Sequence, residues 1–189
     1  MDTAMNDGDD DLSAVWASGD SERINRALAR LLTVVPPRPE IAAPEPEVLD
    51  AFADPVPSDA VRNYIWVVGN YRPIRPELEV GDVVRRWVEA VVRTGDSSAA
   101  LQVALYLQPE MPEGARVRDA LDYVATRGLS TPRERDGAEY LARYFLDVSD
   151  TYDRAIEALA RWRGDADLGQ ILDRLAPYVH AADRPKIGL

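Results

Sequence analysis

The side chains that most often carry catalysis are scarce in this sequence. Its 189 residues include one histidine, His180, one lysine, Lys186, and no cysteine. A lone histidine cannot build a multi-histidine metal site, and without a thiol there is no thiolate nucleophile, zinc–thiolate site or disulfide. We expect His180 to be an ordinary surface residue near a helix end. The sequence therefore predicts a protein that is not an enzyme, with no catalytic, cofactor-binding or metal-binding residues.

Two pairs of neighbouring carboxylates are the remaining candidates for acid–base chemistry, Asp119 with Asp122 and Asp147 with Asp150. Such chemistry needs a carboxyl group whose pKa is raised by an apolar pocket. These four are predicted on polar helix faces or at helix ends, where capping and the helix dipole explain them. The acidic residues Asp7, Asp9, Asp10 and Asp11 lack the glycine and terminal glutamate spacing of an EF-hand loop. They are expected to place negative charge near the start of the first helix.

Three aromatic side chains fall outside the buried stripe of their own predicted helix. Trp66 points about 150° from the centre of its stripe, at 100° per residue. Tyr140 lies off the stripe of a later helix and Tyr144 at its edge, and Arg62 and Arg143 flank these rings one turn away. Large flat rings lose little rotamer entropy on docking, so they suit a protein-binding surface. All five are predicted partner-binding residues; the alternative is that a second layer of helices covers the rings.

The net charge of −11 is unevenly distributed along the chain. Residues 1–60 hold 13 acidic residues and four arginines, residues 61–120 are balanced, and residues 121–189 carry a charge of −2. Such an acidic region repels phosphate, so direct nucleic-acid binding is not expected. It favours a basic protein partner through long-range attraction; a solvating acidic tail is the alternative.

The hydropathy of the chain and the composition of its first residues predict where in the cell the protein is located. No apolar run reaches the length that spans a bilayer, and the acidic start of the chain differs from a secretory signal. We expect a cytoplasmic protein that does not bind membranes. The sequence leaves its oligomeric state open.

Prolines divide the chain into two predicted regions. Five of them fall within residues 36–46, a density that no helix tolerates. Residues 1–45 are therefore predicted to be an acidic N-terminal arm with one or two helices and a Pro-rich linker, and residues 46–189 an all-helical body that folds alone. The alternative is that the arm packs on the body, because it contains an apolar stripe formed by Ile24, Leu28, Leu31 and Leu32.

Apolar residues recur with helical spacing along most of the chain. The predicted helices span about 11–18 and 21–35 in the arm, and 46–53, 58–71, 79–94, 97–108, 113–127, 131–147, 150–163 and 166–179 in the body. Thr131 and Glu134 are predicted to form a capping box around Pro132. No stretch alternates with period two over several residues, so the predicted fold class is all-α without a sheet.

Two consecutive segments have different apolar patterns. Segment 79–94 carries a single stripe of valines and Trp87, which predicts one buried face. Segment 97–108 is apolar nearly all round, so we expect it to be covered on more than one side. Acid-to-arginine pairs at i, i+4 support the helices: Glu22/Arg26, Asp82/Arg86, Glu89/Arg93, Glu139/Arg143, Asp150/Arg154 and Glu157/Arg161.

Three stretches share one layout, in which an arginine begins a helical pattern and a glycine ends it: residues 85–95, 118–128 and 154–164. A glycine there predicts a left-handed cap after each helix. The offsets of 33 and 36 residues match one helix–turn–helix unit of a stacked array.

Residues 95–101 (GDSSAAL) resemble the turn and second helix of a tetratricopeptide repeat, and residues 152–159 (YDRAIEAL) are similar to the same second helix. Residues 54–57 (DPVP), with Val61 and Arg62, resemble a HEAT-type repeat. The resemblance implies a helical-repeat-like array of antiparallel helix pairs, an α-solenoid or multi-helix bundle, that binds other proteins.

The predicted function is that of a protein–protein interaction module, an adapter or scaffold of helical-repeat type. An acidic immunity or inhibitor protein that neutralises a basic protein target is the alternative. A pocket for a small ligand, or an enzyme of unrecognised type within the helical array, is a third interpretation, which the scarcity of catalytic residues disfavours.

Overall fold

The computed structural model describes residues 11–33, 43–71, 80–107 and 115–189. These form α1 (Leu12–Ala17), α2 (Ser21–Leu31), α3 (Ser58–Tyr71), α4 (Val80–Thr94), α5 (Ser97–Leu107), α6 (Ala115–Arg127), α7 (Pro132–Asp147), α8 (Ser149–Leu159), α9 (Ala166–Leu175) and α10 (Arg184–Ile187). Three 3₁₀ helices span Pro46–Ala51, Ala160–Trp162 and Ala176–Tyr178. The described ranges contain no strand, which confirms the predicted all-α fold. Acidic residues 7, 9 and 10 and most of the Pro-rich linker lie outside those ranges.

The predicted helices agree with the observed ones to within a few residues wherever both can be compared. Segment 46–53 is a 3₁₀ helix rather than an α-helix, and the predicted helix 150–163 is α8 followed by the tighter turn Ala160–Trp162. The short helix α10 was not expected, because four residues are too few to show a periodic pattern.

Side-chain caps set the start of several helices. Asp11 accepts a hydrogen bond from the backbone N–H of Ser13 at 3.1 Å, in line with its expected role at the start of the first helix. At α7 the Thr131 hydroxyl accepts from the Glu134 N–H at 3.2 Å, and the Glu134 carboxylate accepts from the Thr131 N–H at 2.9 Å. The predicted capping box is therefore confirmed.

The three predicted cap glycines are all left-handed. Gly95, Gly128 and Gly164 have φ values of 60°, 76° and 88°. The N–H of Gly95 donates to the Val91 carbonyl at 2.9 Å, which satisfies a carbonyl left free at the end of α4. The predicted cap conformation is confirmed at each position.

The longer helices pack in two rows. In one row α2, α3, α5, α7 and α9 each contact the next member; in the other α4 contacts α6 and α6 contacts α8. Contacts of α4 with α3, α5 and α7, and of α7 with α8, join the rows. The largest fully buried side chains are Trp162, Tyr64 and Phe145. Assignment of these rows to a repeat family stays a prediction.

Helices α4 and α7 approach each other closely at Gly137. A Cβ atom at this position would lie 2.5 Å from the carbonyl oxygen of Val91 and 2.9 Å from the Cα of Val92 in α4. No side chain larger than hydrogen fits there without movement of the backbone. Gly137 therefore sets how closely α4 and α7 can pack.

Helix α2 packs against α3, although it lies in the predicted arm. Ile24 and Leu28 are fully buried and Leu31 is nearly so. The apolar stripe of α2 is therefore covered within the chain. That residues 46–189 fold without residues 1–45 stays a prediction.

Several arginines pair with different acids from those predicted. Glu22 and Arg26 lie 4.0 Å apart, as expected. Arg93, by contrast, bonds Glu47 at 3.2 Å and also Asp50, both in the first 3₁₀ helix. Arg143 pairs with Asp147 of its own helix. Arg86 pairs with Glu45 and Arg161 with Asp122, both on other elements. An exposed pair within one helix contributes only about 0.2–0.5 kcal/mol, so partners on neighbouring elements compete readily with it.

Candidate interaction surface

Helices α3 and α5 lie side by side and run in the same direction. At their starts the hydroxyl of Ser58 is hydrogen-bonded to the carboxylate of Asp96. About two turns further on, the rings of Trp66 and Tyr106 meet edge to face, with centroids 5.4 Å apart and planes at 80°. Contacts at both levels show that the two helices are parallel.

Each of these helices presents one stripe of residues to solvent. The exposed residues, which we name the α3–α5 strip, are Asp59, Arg62, Trp66 and Asn70 of α3 and Ser98, Leu101 and Leu105 of α5. The spacing within each stripe is i, i+3, i+7, the spacing of residues on one helix face. Because α3 and α5 are neighbours in one row and both contact α4 of the other row, the two exposed stripes lie together on the side of that row that faces away from α4.

The strip contains every large hydrophobic side chain that is exposed among the described residues. Trp66 is 47% exposed, Leu101 40% and Leu105 54%. Single exposed apolar residues are normal on protein surfaces, but apolar residues grouped in one place mark interaction sites. The expectation that α5 is covered on more than one side is confirmed, because α3, α4 and α7 all contact it. Its outer face, which carries Leu101 and Leu105, is left facing solvent.

An aromatic stack supports Trp66 from below. The Tyr106 ring, which contacts Trp66, also stacks on Trp87 of α4, with centroids 5.2 Å apart and planes at 22°. Trp87 is buried, and its indole N–H donates to the Ile65 carbonyl at 3.0 Å. Because Tyr106 and Trp87 are held in this way, they restrict the motion of the Trp66 ring. Trp66 therefore loses little side-chain entropy when a partner binds to it.

The strip carries almost no charge. Helix α5 contains no charged residue, and α3 contributes only Asp59 and Arg62. The Nε of Arg62 donates to the Ser58 carbonyl at 3.2 Å. A partner that covers Leu101, Leu105 and Trp66 therefore removes no charged group of α5 from water. The centres of protein interfaces are likewise poor in charged residues.

The structure places the five predicted binding residues in one row of helices, with α5 between the two groups. Trp66 and Arg62 are exposed on α3. Tyr140 and Tyr144 on α7 are partly buried, and the Tyr144 hydroxyl lies 3.0 Å from the Ser97 hydroxyl. Arg143 lies over the ring of Tyr178, 4.5 Å from its centroid. Trp66 is thus exposed rather than covered by a second layer of helices, whereas the binding role of all five residues stays a prediction.

Leu101 and Leu105 were not predicted to be surface residues. A helix that is apolar all round is typical of one buried by its own chain. The same pattern arises when one side is left for a partner. The complete absence of charge from α5 was the available signal, but it does not distinguish the two cases.

The most enclosed ionic cluster lies where α4, α6 and α7 meet. Arg127 donates to Glu89 from Nε at 2.6 Å and from a terminal nitrogen at 3.0 Å, and it donates to Glu134 at 2.8 Å. Burial acts to raise the pKa of Glu134, but hydrogen bonds from Arg127 and from the N–H groups of Ser130 and Thr131 outweigh it and hold the pKa below its ordinary value. This cluster therefore joins α4, α6 and α7 through ion pairs and hydrogen bonds.

A cavity of about 250 Å³ opens beside the first 3₁₀ helix. Its lining consists of Leu49, Asp50, Phe52, Asp54, Val56, Arg93, Thr94 and Arg133. Both arginines are already paired, Arg93 with Asp50 and Arg133 with Asp54. The cavity is smaller than the roughly 300–1,000 Å³ typical of ligand pockets, and its arginines present no unpaired charge to a ligand.

His180 is exposed, as expected, and stacks on the buried Tyr152 ring with centroids 4.3 Å apart. Within the described part of the chain, no group of three or more His, Asp or Glu side chains is placed to hold a metal ion. None of the helices in the described ranges is long and apolar enough to cross a bilayer.

Comparisons of this chain with protein-family models, with curated proteins and with solved structures found no match.

Proposed function

We propose that this protein is a protein–protein interaction module that binds its partner through the α3–α5 strip. The observation that carries the proposal is the grouping of Trp66, Leu101 and Leu105 on two adjacent helices. Elsewhere in the described ranges the large apolar side chains are buried or partly buried. A partner that covers these three side chains gains about 25 cal/mol for each Å² of apolar surface removed from water.

The arrangement of the helices supports a module of helical-repeat type. Stacked helical pairs present one helix of each pair along a continuous face, and partners dock on such faces. The row that contains α3, α5 and α7 is the equivalent face here. Trp66 and Arg62 contribute to binding at its α3 side, with Tyr140, Tyr144 and Arg143 at its α7 side. The cytoplasm stays the predicted location.

The acidic N-terminal region supports a second candidate function, that of an immunity or inhibitor protein for a basic protein target. Residues 1–60 have 13 acidic residues against four arginines. Concentrated charge of one sign accelerates association with a target of the opposite sign. The two candidate functions differ in the identity of the partner and share the same strip.

Capture of the partner tests the proposed function. The full chain and the double variant Leu101→Gln/Leu105→Gln are immobilised, and proteins bound from a lysate of the native host are identified by mass spectrometry. Glutamine has a size and helix propensity similar to those of leucine, but it ends in a polar amide and so removes most of the apolar surface. Asp173→Asn, at an exposed position on α9, is the control.

The identified partner is then purified, and its affinity for each variant is measured by calorimetry. We expect the double variant to bind at least about tenfold more weakly, equivalent to about 1.4 kcal/mol, and the control to bind like the original protein. A toxin or basic enzyme as partner favours the inhibitor function. Equal affinity for the double variant and the original protein refutes a binding role for the strip.

A further inference from the structure

Both charged residues of the α3–α5 strip lie at the end where its two helices start. Asp59 and Arg62 are in the first two turns of α3, whereas the strip from Trp66 to Asn70 and the whole of α5 carry no charge. Along α3 the strip extends for about 16 Å, which is three helical turns. It therefore has a charged end and a longer apolar part.

The backbone of the two helices restricts what can cover this surface. An extended peptide needs a strand edge to satisfy its N–H and C=O groups, and the described ranges contain no strand. A helix satisfies its own backbone. Because Trp66 belongs to one helix of the pair and Leu101 and Leu105 to the other, a third helix laid along both contacts all three with one apolar face.

The direction of that third helix follows from the parallel arrangement of α3 and α5. Both helices direct the positive end of their dipole towards the charged end of the strip, so an antiparallel helix places its negative C-terminal end there. Two carboxylates lie at the same end: Asp59, and Asp96, which accepts from the Ser58 hydroxyl and from the Ala99 N–H at 2.7 Å. They attract a basic side chain in the last turn of the third helix, where its own dipole also favours one.

We propose that the strip binds an amphipathic partner helix that runs antiparallel to α3 and α5. At the C-terminal end of its apolar face this helix carries an acidic residue, followed one turn later by a basic residue. The inference rests on the proposed function and specifies the partner's chemistry. The basic residue pairs with Asp59. The acidic residue pairs with Arg62, whose Nε donates to the Ser58 carbonyl at 3.2 Å and whose guanidinium has further N–H donors for a carboxylate.

The order of the two charges distinguishes this arrangement from parallel binding. An acid placed four residues before a base stabilises an isolated helix, and a base in the last turn does so as well. A parallel partner would need a base and then an acid in its first turns to pair with Asp59 and Arg62. Both effects disfavour that order, so the antiparallel helix is the better match.

Two labelled peptides of about 18 residues test the proposal with the full chain. Both have leucines at i, i+3, i+4 and i+7. The acid–base peptide has glutamate and, four residues later, lysine at the C-terminal end of the leucine face, and the base–acid peptide has these two exchanged. Composition and net charge are therefore equal. Affinity is measured by fluorescence anisotropy at about 50 mM and about 300 mM salt.

We expect the acid–base peptide to bind at least about threefold more tightly at low salt, and the difference to shrink at high salt. Asp59→Arg/Arg62→Asp is expected to reverse this preference. The helicity of the free peptides cannot cause a reversal, because it is the same with both proteins. Glu22→Arg/Arg26→Glu, an exposed pair on α2, is the matched control and is expected to leave the preference unchanged.

A nitroxide at the C-terminus of the acid–base peptide tests the direction on the original protein. We expect it to broaden the backbone amide signals of Asp59 and Ser98, at the charged end, more than that of Asn70. The reverse order of broadening shows parallel binding and overturns the inference. This measurement does not depend on the folding of any variant.

A preference that Asp59→Arg/Arg62→Asp leaves unchanged also overturns the inference, as does the absence of binding by both peptides. If Leu101→Gln/Leu105→Gln weakens both peptides equally while the preference stays unchanged, the proposed function stands without the inference. Peptide binding that ignores this leucine variant counts against the strip itself. A dimer in sedimentation that the leucine variant abolishes assigns the strip to a second copy of the chain and likewise overturns the inference.

Discussion

Helices α4 and α5 follow one another across the turn at Gly95, and both are rich in apolar residues. Yet the chain buries them to different extents. In α4 the valine stripe and Trp87 are buried against other helices. In α5 the inner residues Val103 and Leu107 are equally buried, whereas Leu101 and Leu105 on the outer face are exposed.

An apolar sequence pattern therefore shows which faces of a helix must be covered but not what covers them. Helix α4 contacts α3, α5, α6 and α7, and its charged residues Arg86, Glu89 and Arg93 pair with residues of other elements, so the chain itself covers most of it. Helix α5 has no charged residue, and the chain contacts only part of it. Its remaining apolar face is the basis of the proposed interaction.

The largest expected effect is at a leucine that the chain itself covers. Leu28 in α2 is fully buried, so Leu28→Ala is expected to lower the free energy of unfolding by about 2–5 kcal/mol. Leu105→Ala, the same substitution on the outer face of α5, is expected to cost less than about 1 kcal/mol. Urea unfolding measures both. Similar costs would remove the distinction between covered and uncovered leucines, and a small cost at Leu28 would make α2 peripheral to the core.

The crossing of α4 and α7 is expected to tolerate no added atom. Gly137→Ala places a methyl group 2.5 Å from the Val91 carbonyl oxygen, and we expect a loss of about 1–3 kcal/mol in spite of the better helix propensity of alanine. Gly169 in α9 is the control, because a Cβ there meets nothing within 4 Å. Gly169→Ala is expected to stabilise by about 0.5–1 kcal/mol. Stabilisation by both substitutions would show that α4 is packed less closely than described.

The cap glycines Gly95, between α4 and α5, and Gly128, between α6 and α7, differ in the space around them. Gly128→Ala forces a side chain into a left-handed conformation with open space around it, at a cost of about 1 kcal/mol. Gly95→Ala adds a contact of 2.7 Å with the Arg133 Cγ, so its cost is expected to exceed that of Gly128→Ala. Thermal unfolding of the two variants ranks them. The reverse order would indicate that Arg133 moves aside freely.

A smaller effect is expected from the ionic cluster that joins α4 to α6 and α7. The folded pKa of Glu134 is lowered, so its contribution to stability is present above the ordinary carboxyl pKa and is lost as the pH falls through the folded pKa. Glu134→Gln is expected to cost about 0.5–1.5 kcal/mol at neutral pH. Its difference from the original protein should shrink as the solution is acidified. A difference that is constant down to acid pH would show that ionisation of Glu134 does not contribute.

Local features were predictable from the sequence because neighbouring residues determine them. The capping box at Thr131 depends on residues three positions apart, and the left-handed conformation at Gly128 depends on the lack of a Cβ atom. Helix positions followed from the spacing of apolar residues for the same reason. These signals established the all-α fold and most helix boundaries.

Features that depend on distant residues were not predictable. Arg93 was expected to pair with Glu89 in its own helix, but it bonds Asp50, while Glu89 accepts from Arg127 of α6. Within the strip, Trp66 was identified because its position contradicts the stripe of its own helix. Leu105 was not, because its exposure depends on which helices the chain places beside α5.

Fluorine NMR of the four tryptophans tests whether the α3–α5 strip is uncovered in the isolated chain and becomes covered in the complex. The protein is labelled with fluorotryptophan, and Trp66→Phe assigns the Trp66 resonance. Trp66 is 47% exposed, against 3% for Trp87 and 0% for Trp162, so its signal should shift more between H₂O and D₂O than those of Trp87 and Trp162. Addition of the partner should abolish most of that shift. A Trp66 signal as insensitive to solvent as that of Trp162 would show that the strip is covered in the isolated chain. A Trp66 signal that binding leaves unchanged would show that the partner binds elsewhere.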